Sequence, residues 1–349
     1  MIHANATPII RCDATHDAAW NAFVAASSRA SFYHRVEWRR INEACFGHRT
    51  CYLGAVDGDR IVGVLPLVQV KSRLFGNIGC SLPFVNYGGP CGVDDDVEGA
   101  LLNASEGVAD EWGVDYLEVR STRPMGDQYP CSTHKVSMTV ELQPDPEQVF
   151  AAYKGDHRKD IRRAYKYGFV ARFGALDLLD DFYAILSESW RDLGTPIYEK
   201  SYMRAVLEAF PECTRIGVVY ADDGTPAAGA FVGEHNGTVE GLWLGTRGRY
   251  RRQMVGYVLY WELIKEACLR GQTRFHLGRS TAESGSEQFK RKWNATPKQL
   301  YWQYLLRTRA EIPQLNVKNP KFHLAIAAWR KLPVALTGRI GPLIARSIP

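Results

Sequence analysis

Several patterns are missing from this 349-residue chain, and each absence removes a class of protein. No apolar run approaches the roughly 18–20 residues that a membrane-spanning helix needs. The start, Met1-Ile2-His3-Ala4-Asn5-Ala6-Thr7-Pro8, has no basic stretch followed by an apolar one, so a signal peptide is not expected and a cytoplasmic location is. The eight cysteines, at 12, 45, 51, 80, 91, 131, 213 and 268, form no C-x-x-C and no metal-type spacing with the histidines. They are expected to be reduced and structural, with no metal bound. No long polar tract occurs, and 46% apolar against 23% charged residues describes an ordinary globular chain. No Cys-His or Ser-His-Asp arrangement stands out, and Ser280 lacks a G-x-S-x-G setting, so a covalent nucleophile is not indicated.

Charge of one sign is also missing from the body. Residues 1–310 hold 37 basic and 37 acidic side chains, whereas 311–349 hold six Lys/Arg (Lys318, Lys321, Arg330, Lys331, Arg339, Arg346) against Glu311 alone. The formal net charge of +5 therefore belongs to the tail and gives no reason to read the body as a nucleic-acid binder.

What is present is a chain long enough for two domains of roughly 150 residues. Cys51–Val56 and Arg60–Val70 flank Asp57-Gly58-Asp59, which reads as two strands joined by a tight turn. The pattern returns at Arg215–Tyr220 and Pro226–Val232 around Asp222-Asp223-Gly224-Thr225, which suggests a duplicated α/β unit. Leu117–Arg120 and Val136–Leu142 read as strands closing the first unit, and Pro144-Asp145-Pro146 opens a helix, which puts a boundary near residue 143. Helices are expected around 157–167, 179–192, 200–210 and 250–270, the last capped by Gly271, with strands at 238–244, 273–277 and 299–306. Three parts follow: 1–143, 144–310 and a basic amphipathic tail, 311–349. The alternation is α/β or α+β with a mixed sheet.

Three segments carry chemistry. Asp156–Gly168 places Arg158 and Arg162, and separately Lys159, Arg163 and Lys166, on neighbouring helical turns, which fits either a solvated basic face or an anion site. Gln253-Met254-Val255-Gly256 opens a helix and resembles the pyrophosphate loop of GNAT acetyltransferases, where backbone amides hold acyl-CoA phosphates, although Val258 stands where that pattern has a small residue. Gln253 and Gly256 are thus the cofactor-binding candidates, with an ordinary amphipathic helix as the alternative. Third, Phe275-His276-Leu277-Gly278-Arg279-Ser280, followed by Gln288-Phe289-Lys290-Arg291-Lys292-Trp293, reads as strand, turn and helix start with a cationic, aromatic cluster. Lys290 there suits a donor to a developing oxyanion.

Taken together, Leu65–Gly76, Ser81–Pro90, the basic helix 158–168, Arg191–Tyr198, Gly278-Arg279-Ser280 and Phe289-Lys290 resemble the Fem family of peptidoglycan-bridge aminoacyltransferases. They are most similar to its FemAB-like branch from exopolysaccharide and PEP-CTERM sorting loci. The resemblance spans roughly residues 50–305. It implies two tandem GNAT-like domains with mixed sheets and an acceptor site in the cleft between them, with Phe289 and Lys290 at the reaction centre. It further implies substrate-binding roles for Arg279, Ser280, Arg158, Arg162, Asn86, Tyr87, Tyr198 and Trp243. This chain has no 50–60-residue heptad-rich segment, so the long coiled-coil arm of the peptidoglycan-type enzymes is not expected. That departure bears on the donor, aminoacyl-tRNA or acyl-CoA, with no permanently bound cofactor.

The function implied is acyl or aminoacyl transfer to an amine or hydroxyl of an envelope saccharide, lipid-linked or peptidoglycan-type precursor. An acyl-CoA N-acyltransferase and a non-catalytic scaffold of a polysaccharide locus are the alternatives. The tail, with Trp329 among cations, suits either an anionic bilayer surface on the inner face of the membrane or a helix packed on the body.

Overall fold

The computed structural model describes residues 7–73, 75–313 and 323–348. Leu74 of the matched stretch, residues 1–6 of the start and residues 314–322 of the tail, with Lys318 and Lys321, lie outside the described residues. The chain divides into two compact units. One is drawn from the described parts of Met1–Val136, Gln299–Pro313 and Arg346–Pro349, the other from those of Ser137–Lys298 and Gln314–Ala345.

The first unit is built on strands β1 (Ile9–Cys12), β2 (Arg49–Asp57), β3 (Arg60–Ser72), β4 (Gly76–Cys80), β5 (Cys91–Gly92), β6 (Tyr116–Ser121), β7 (Cys131–Ser132) and β15 (Tyr301–Leu306). Their order is β1-β2-β3-β4-β6-β15-β7, with β5 also on β3. The expected hairpin is β2–β3, antiparallel from Arg49↔Gln69 to Asp57↔Arg60. Successive side chains on a strand point to opposite faces, and the packing divides accordingly. Cys51, Leu53 and Ala55 join Leu101, Leu102 and Val108 of α3 (Asp95–Trp112), whereas Tyr52 joins Trp20 and Val24 of α1 (Asp17–Ala26). Helix α2 (Glu37–Phe46) lies against β2. Helix α3 starts where Asp94 accepts from Val97 N at 2.9 Å, with Asp95, Asp96 and Glu98 complementing the helix dipole in its first turn.

The second unit carries a sheet ordered β14-β8-β13-β12-β11-β10-β9. Its strands are β8 (Lys135–Glu141), β9 (Val170–Gly174), β10 (Thr214–Tyr220), β11 (Pro226–His235), β12 (Thr238–Thr246), β13 (Arg274–Thr281) and β14 (Thr296–Gln299). The repeated hairpin is β10–β11, and β12 pairs antiparallel with β11. Between β12 and β13 the chain crosses over through α8 (Val255–Leu269), so these two strands are parallel. Helix α6 (Leu179–Leu193) packs on β11, Phe182 meeting Phe231 edge-on at 6.0 Å, and α7 (Lys200–Ala209) packs on β10. Helices α4 (Pro146–Ala151) and α5 (Gly155–Tyr165) lie against α8. Asp145 caps α4 by accepting from Glu147 N at 2.9 Å, as the Pro-Asp-Pro signal implies.

In three places the units differ from the linear reading. Strand β8, read as closing the first unit, lies in the second sheet, and the division falls at Val136/Ser137 rather than near 143. The expected strand at 299–306 returns to the first unit, because β15 pairs with β6 along its full length, Tyr301↔Ser121 to Leu306↔Tyr116. The tail is not set apart: α10 (His323–Lys331) and α11 (Val334–Ala345) pack on α6, Arg191 Nη1 donating to Leu332 O at 2.7 Å and Arg330 Nη2 to Leu193 O at 3.1 Å. All three are pairings between distant residues, which no local propensity encodes.

The segment Ser81–Pro90 is held to β6 by several hydrogen bonds and is crowded where Gly88 and Gly89 meet Arg120. Gly88 N and Gly89 N both donate to Arg120 O, at 3.2 and 2.8 Å, and His34 Nε2 lies 2.9 Å from Gly89 O. A Cβ on Gly89 would sit 2.5 Å from Ser121 Oγ and 2.8 Å from Arg120 O. Gly89→Ala is therefore expected to destabilise the protein by about 1–3 kcal/mol, measured by chemical denaturation, whereas Gly99→Ala, whose Cβ meets nothing within 4 Å, should be tolerated.

Candidate functional site

Strands β12 and β13 pair over three rungs only, Thr238↔Arg274, Val239↔Phe275 and Glu240↔His276, although both strands run on. Just beyond, β12 shifts register against β11, from Val232↔Gly241 to Phe231↔Trp243, which leaves Leu242 as the extra residue of a bulge. Opposite it, Gly278 takes φ +77°, a left-handed conformation suited to glycine. The turn after β13 leads into α9 (Gly285–Arg291), which Ser284 caps by accepting from Glu287 N at 3.3 Å.

Helix α9 returns Lys290 to the point where the strands part. Lys290 is 6% exposed, and its Nζ donates to Gly278 O at 2.9 Å and Arg279 O at 3.0 Å. Burial, with the neighbouring Arg279 charge adding to it, pushes the Lys290 ammonium down to about 7. An ammonium here gives two N–H groups to these carbonyls and keeps a third; the neutral amine gives the same two and keeps a lone pair. Both forms fit, so this nitrogen can exchange a proton near neutral pH without losing its anchorage.

Of the residues singled out in the sequence, Arg279, Ser280, Phe289 and Lys290 are brought together here. Ser280 is buried, with its Oγ 3.2 Å from Ser286 Oγ. Phe289 meets Tyr257 and Tyr260 of α8 edge-on at 5.4 and 5.3 Å, and Trp293 stacks on Tyr260 at 5.6 Å. These rings fasten α9 to α8 and so hold Lys290 in place. His157 of α5 joins the same group, 4.4 Å from Trp293.

The basic helix α5 is not one uniform face. Arg162 lies 5.2 Å over the Phe150 ring, Lys159 pairs with Asp156 and Arg163 with Asp160, while Arg158 is half-buried. Arg163, rather than Arg158 or Arg162, reaches the start of α8, its Nε and Nη2 at 3.2 and 3.0 Å from Met254 Sδ. Gln253 closes the 3-10 turn Gly248–Gln253 before α8, and Gly256 is the second residue of that helix. A Cβ on Gly256 would meet nothing within 4 Å, so the space above this helix start is open. Its first-turn N–H groups, with Arg163, Arg251 and Arg252 nearby in sequence or space, make it suited to phosphate.

Tyr198 and Trp243 also come together, ring centroids 6.3 Å apart, in a group with Trp190, Tyr202 and Phe231. Asn86 and Tyr87 belong to the first unit, where Asn86 Nδ2 donates to Tyr33 Oη at 2.9 Å and Tyr87 meets Tyr33 edge-on at 5.1 Å. One pair escaped the sequence reading. Glu240, 1% exposed, lies with both carboxylate oxygens 3.1 Å from His276 Nδ1, on the last rung of the parallel ladder. A carboxylate that orients an imidazole is a common acid–base arrangement, but no local signal links residues 36 positions apart. Among the described residues no group of three or more His, Cys, Asp or Glu side chains is placed to hold a metal ion, and no helix is long and apolar enough to cross a membrane.

Comparison with known proteins fits this geometry. Residues 152–291 match the family model described as an acetyltransferase (GNAT) domain, a span that holds α5, α8, β13 and α9. No curated protein matches the chain in sequence. Among solved structures, FemX is similar with a TM-score of 0.63 at 11% identity, over 91% of this chain and 100% of that one. A tandem GNAT protein from the clavulanic acid biosynthesis pathway gives 0.53 at 10%, over 87% and 99%. L-PGS from Bacillus licheniformis gives 0.50 at 13%, over 78% and 87%. At these identities the likeness concerns the fold, and the tandem arrangement accords with the two mixed sheets. Residues 152–291 form a GNAT-type domain, the chain that carries them is an acyltransferase, and among the described residues there is no long coiled-coil arm.

Proposed function

We propose that this chain transfers an activated acyl or aminoacyl group to an amine or hydroxyl of a cell-envelope saccharide, lipid-linked or peptidoglycan-type precursor at the inner face of the membrane. The observation that carries the reading is Lys290, a buried amine anchored by two backbone carbonyls where β12 and β13 part. The FemAB-like motifs and the likeness to FemX support an envelope acceptor. The open start of α8 at Gly256, with Arg163 beside it, supports a phosphate-bearing donor, either aminoacyl-tRNA or acyl-CoA.

The acceptor nitrogen or oxygen attacks the acyl carbonyl carbon, and the carbonyl electron pair moves onto oxygen. The third N–H of the Lys290 ammonium stabilises that oxyanion in a site already desolvated. Collapse re-forms the carbonyl and expels the ribose hydroxyl or the CoA thiol, which takes up the proton that the acceptor loses. Aligning both substrates supplies the remainder of the rate gain. Arg279 and Ser280 hold the substrate beside Lys290, while Tyr198 and Trp243 offer aromatic walls for a sugar or acyl chain.

A second reading, an acyl-CoA N-acyltransferase, is favoured by the unobstructed Gly256 and by the tandem GNAT relative. Specific CoA binding in calorimetry would select it, whereas retention of charged tRNA would select the aminoacyl route. A non-catalytic scaffold would tolerate joint loss of Arg279 and Lys290 in a polymer-production assay. Mass spectrometry of the envelope polysaccharide or its lipid-linked precursor from a deletion strain should reveal one missing acyl or aminoacyl mass; an unchanged mass would remove the envelope acceptor.

Two outcomes are expected for Lys290. Lys290→Ala should lower kcat by about 10²–10³-fold, the effect of removing one oxyanion donor, and the wild-type to Lys290→Ala rate ratio should fall as pH rises through about 7. A ratio that climbs instead would make the neutral amine a proton acceptor. The second outcome concerns stability. The folded amine deprotonates near 7 and the unfolded one near 10.5, so between these values the unfolded chain binds more protons and folding gains stability as pH rises. Urea denaturation across that window should show this gain in wild type relative to Lys290→Met, and parallel curves would refute the buried amine.

A further inference from the structure

Helices α10 and α11 each bury one side on the second unit and leave the other bare. On α11, Thr337, Gly341, Pro342 and Ala345 are buried. The opposite stripe, Leu336, Arg339 and Leu343, is exposed at spacings of three and four residues, with Leu336 at 43% and Leu343 at 64%. On α10, Trp329 is buried and Leu324, Ala328 and Lys331 form the exposed stripe, Leu324 at 86%. Both helices pack on α6, so both bare stripes face away from it. Exposed leucines interspersed with cations along two helices make the pattern of an interfacial amphipathic element.

We propose that the outer face of α10 and α11 docks on an anionic lipid bilayer, with Leu324, Leu336 and Leu343 entering the acyl boundary and Lys331 and Arg339 meeting lipid phosphates. The argument for this occupant is charge. Residues 323–348 hold four Lys/Arg and no acidic side chain, and two of these cations, Lys331 and Arg339, lie on the bare stripes, so α10 and α11 offer cations and hydrocarbon there with no acidic side chain of their own to repel a phosphate-covered surface. A protein partner would need an acidic, apolar patch shaped to these stripes, whereas an anionic bilayer presents phosphates and hydrocarbon over its whole surface. The inference deepens the membrane-face setting given above but needs no knowledge of the acyl donor, because its test measures binding alone.

The test uses the full chain, since α10 and α11 belong to the packing of the second unit and their removal would disturb it. Sedimentation with vesicles of mixed phosphatidylglycerol and phosphatidylcholine should recover the protein, and pure phosphatidylcholine vesicles should recover about tenfold less. Raised salt should release it. Lys331→Glu with Arg339→Glu, and separately Leu324→Ser with Leu343→Ser, should each lower binding about tenfold while leaving thermal unfolding unchanged. Equal recovery of wild type and both variants, or failure of wild type to bind anionic vesicles at low salt, would overturn the proposal. So would a dimer in sizing chromatography that the Leu324→Ser and Leu343→Ser pair abolishes, because the face would then join two copies of the chain.

Discussion

A lysine amine buried to 6% exposure and anchored by the carbonyls of Gly278 and Arg279 is the constraint around which the second unit's candidate site is arranged. An ammonium out of water is costly, and here it is met by dipoles rather than by a carboxylate, so its proton is held loosely. Such an arrangement requires two strand carbonyls to turn toward a helix instead of into a ladder. The short parallel pairing of β12 and β13 releases them, and the left-handed backbone at Gly278 aims them. The aromatic group of Tyr257, Tyr260, Phe289 and Trp293 keeps α9 close enough for the lysine to reach.

The same parting of strands defines what surrounds the amine. Glu240 and His276 close the last rung, and the bulge at Leu242 carries β12 away toward Trp243. The start of α8, entered by a tight turn after β12, brings a helix N-terminus and the arginines of the preceding turn. A crossover helix between parallel strands puts a helix N-terminus and two strand ends at one edge of the sheet, a recurrent setting for anionic ligands in α/β units. The first unit repeats the hairpin and the two-faced packing, with Gly88 and Gly89 of Ser81–Pro90 bonded to Arg120 O.

Much of this was legible beforehand where the signals are local. Both Asp-containing hairpins, the Pro-Asp-Pro helix start at α4, the left-handed Gly271 after α8 and the strand, turn and helix around Lys290 all follow from turn chemistry and periodicity. Along α5 the packing separates the cations further, because Arg162 covers Phe150 and Arg163 reaches Met254. Spacing tells which side chains share a helix face, but not what the neighbouring elements present to it.

By itself, the amino-acid order determined the local elements, the charge asymmetry of the C-terminal residues and the candidacy of Lys290, to which the family resemblance added Phe289. These depend on neighbours within a few residues, where caps, turns and alternation act. Only the tertiary structure decided that β8 joins the second sheet and β15 the first, that Glu240 faces His276, and that the tail lies on α6. It also decided that Lys290 is buried rather than solvated, so that its ammonium is pushed down to about 7. Burial and long-range strand pairing are properties of the whole packed chain, and a lysine's chemistry changes with the water it loses.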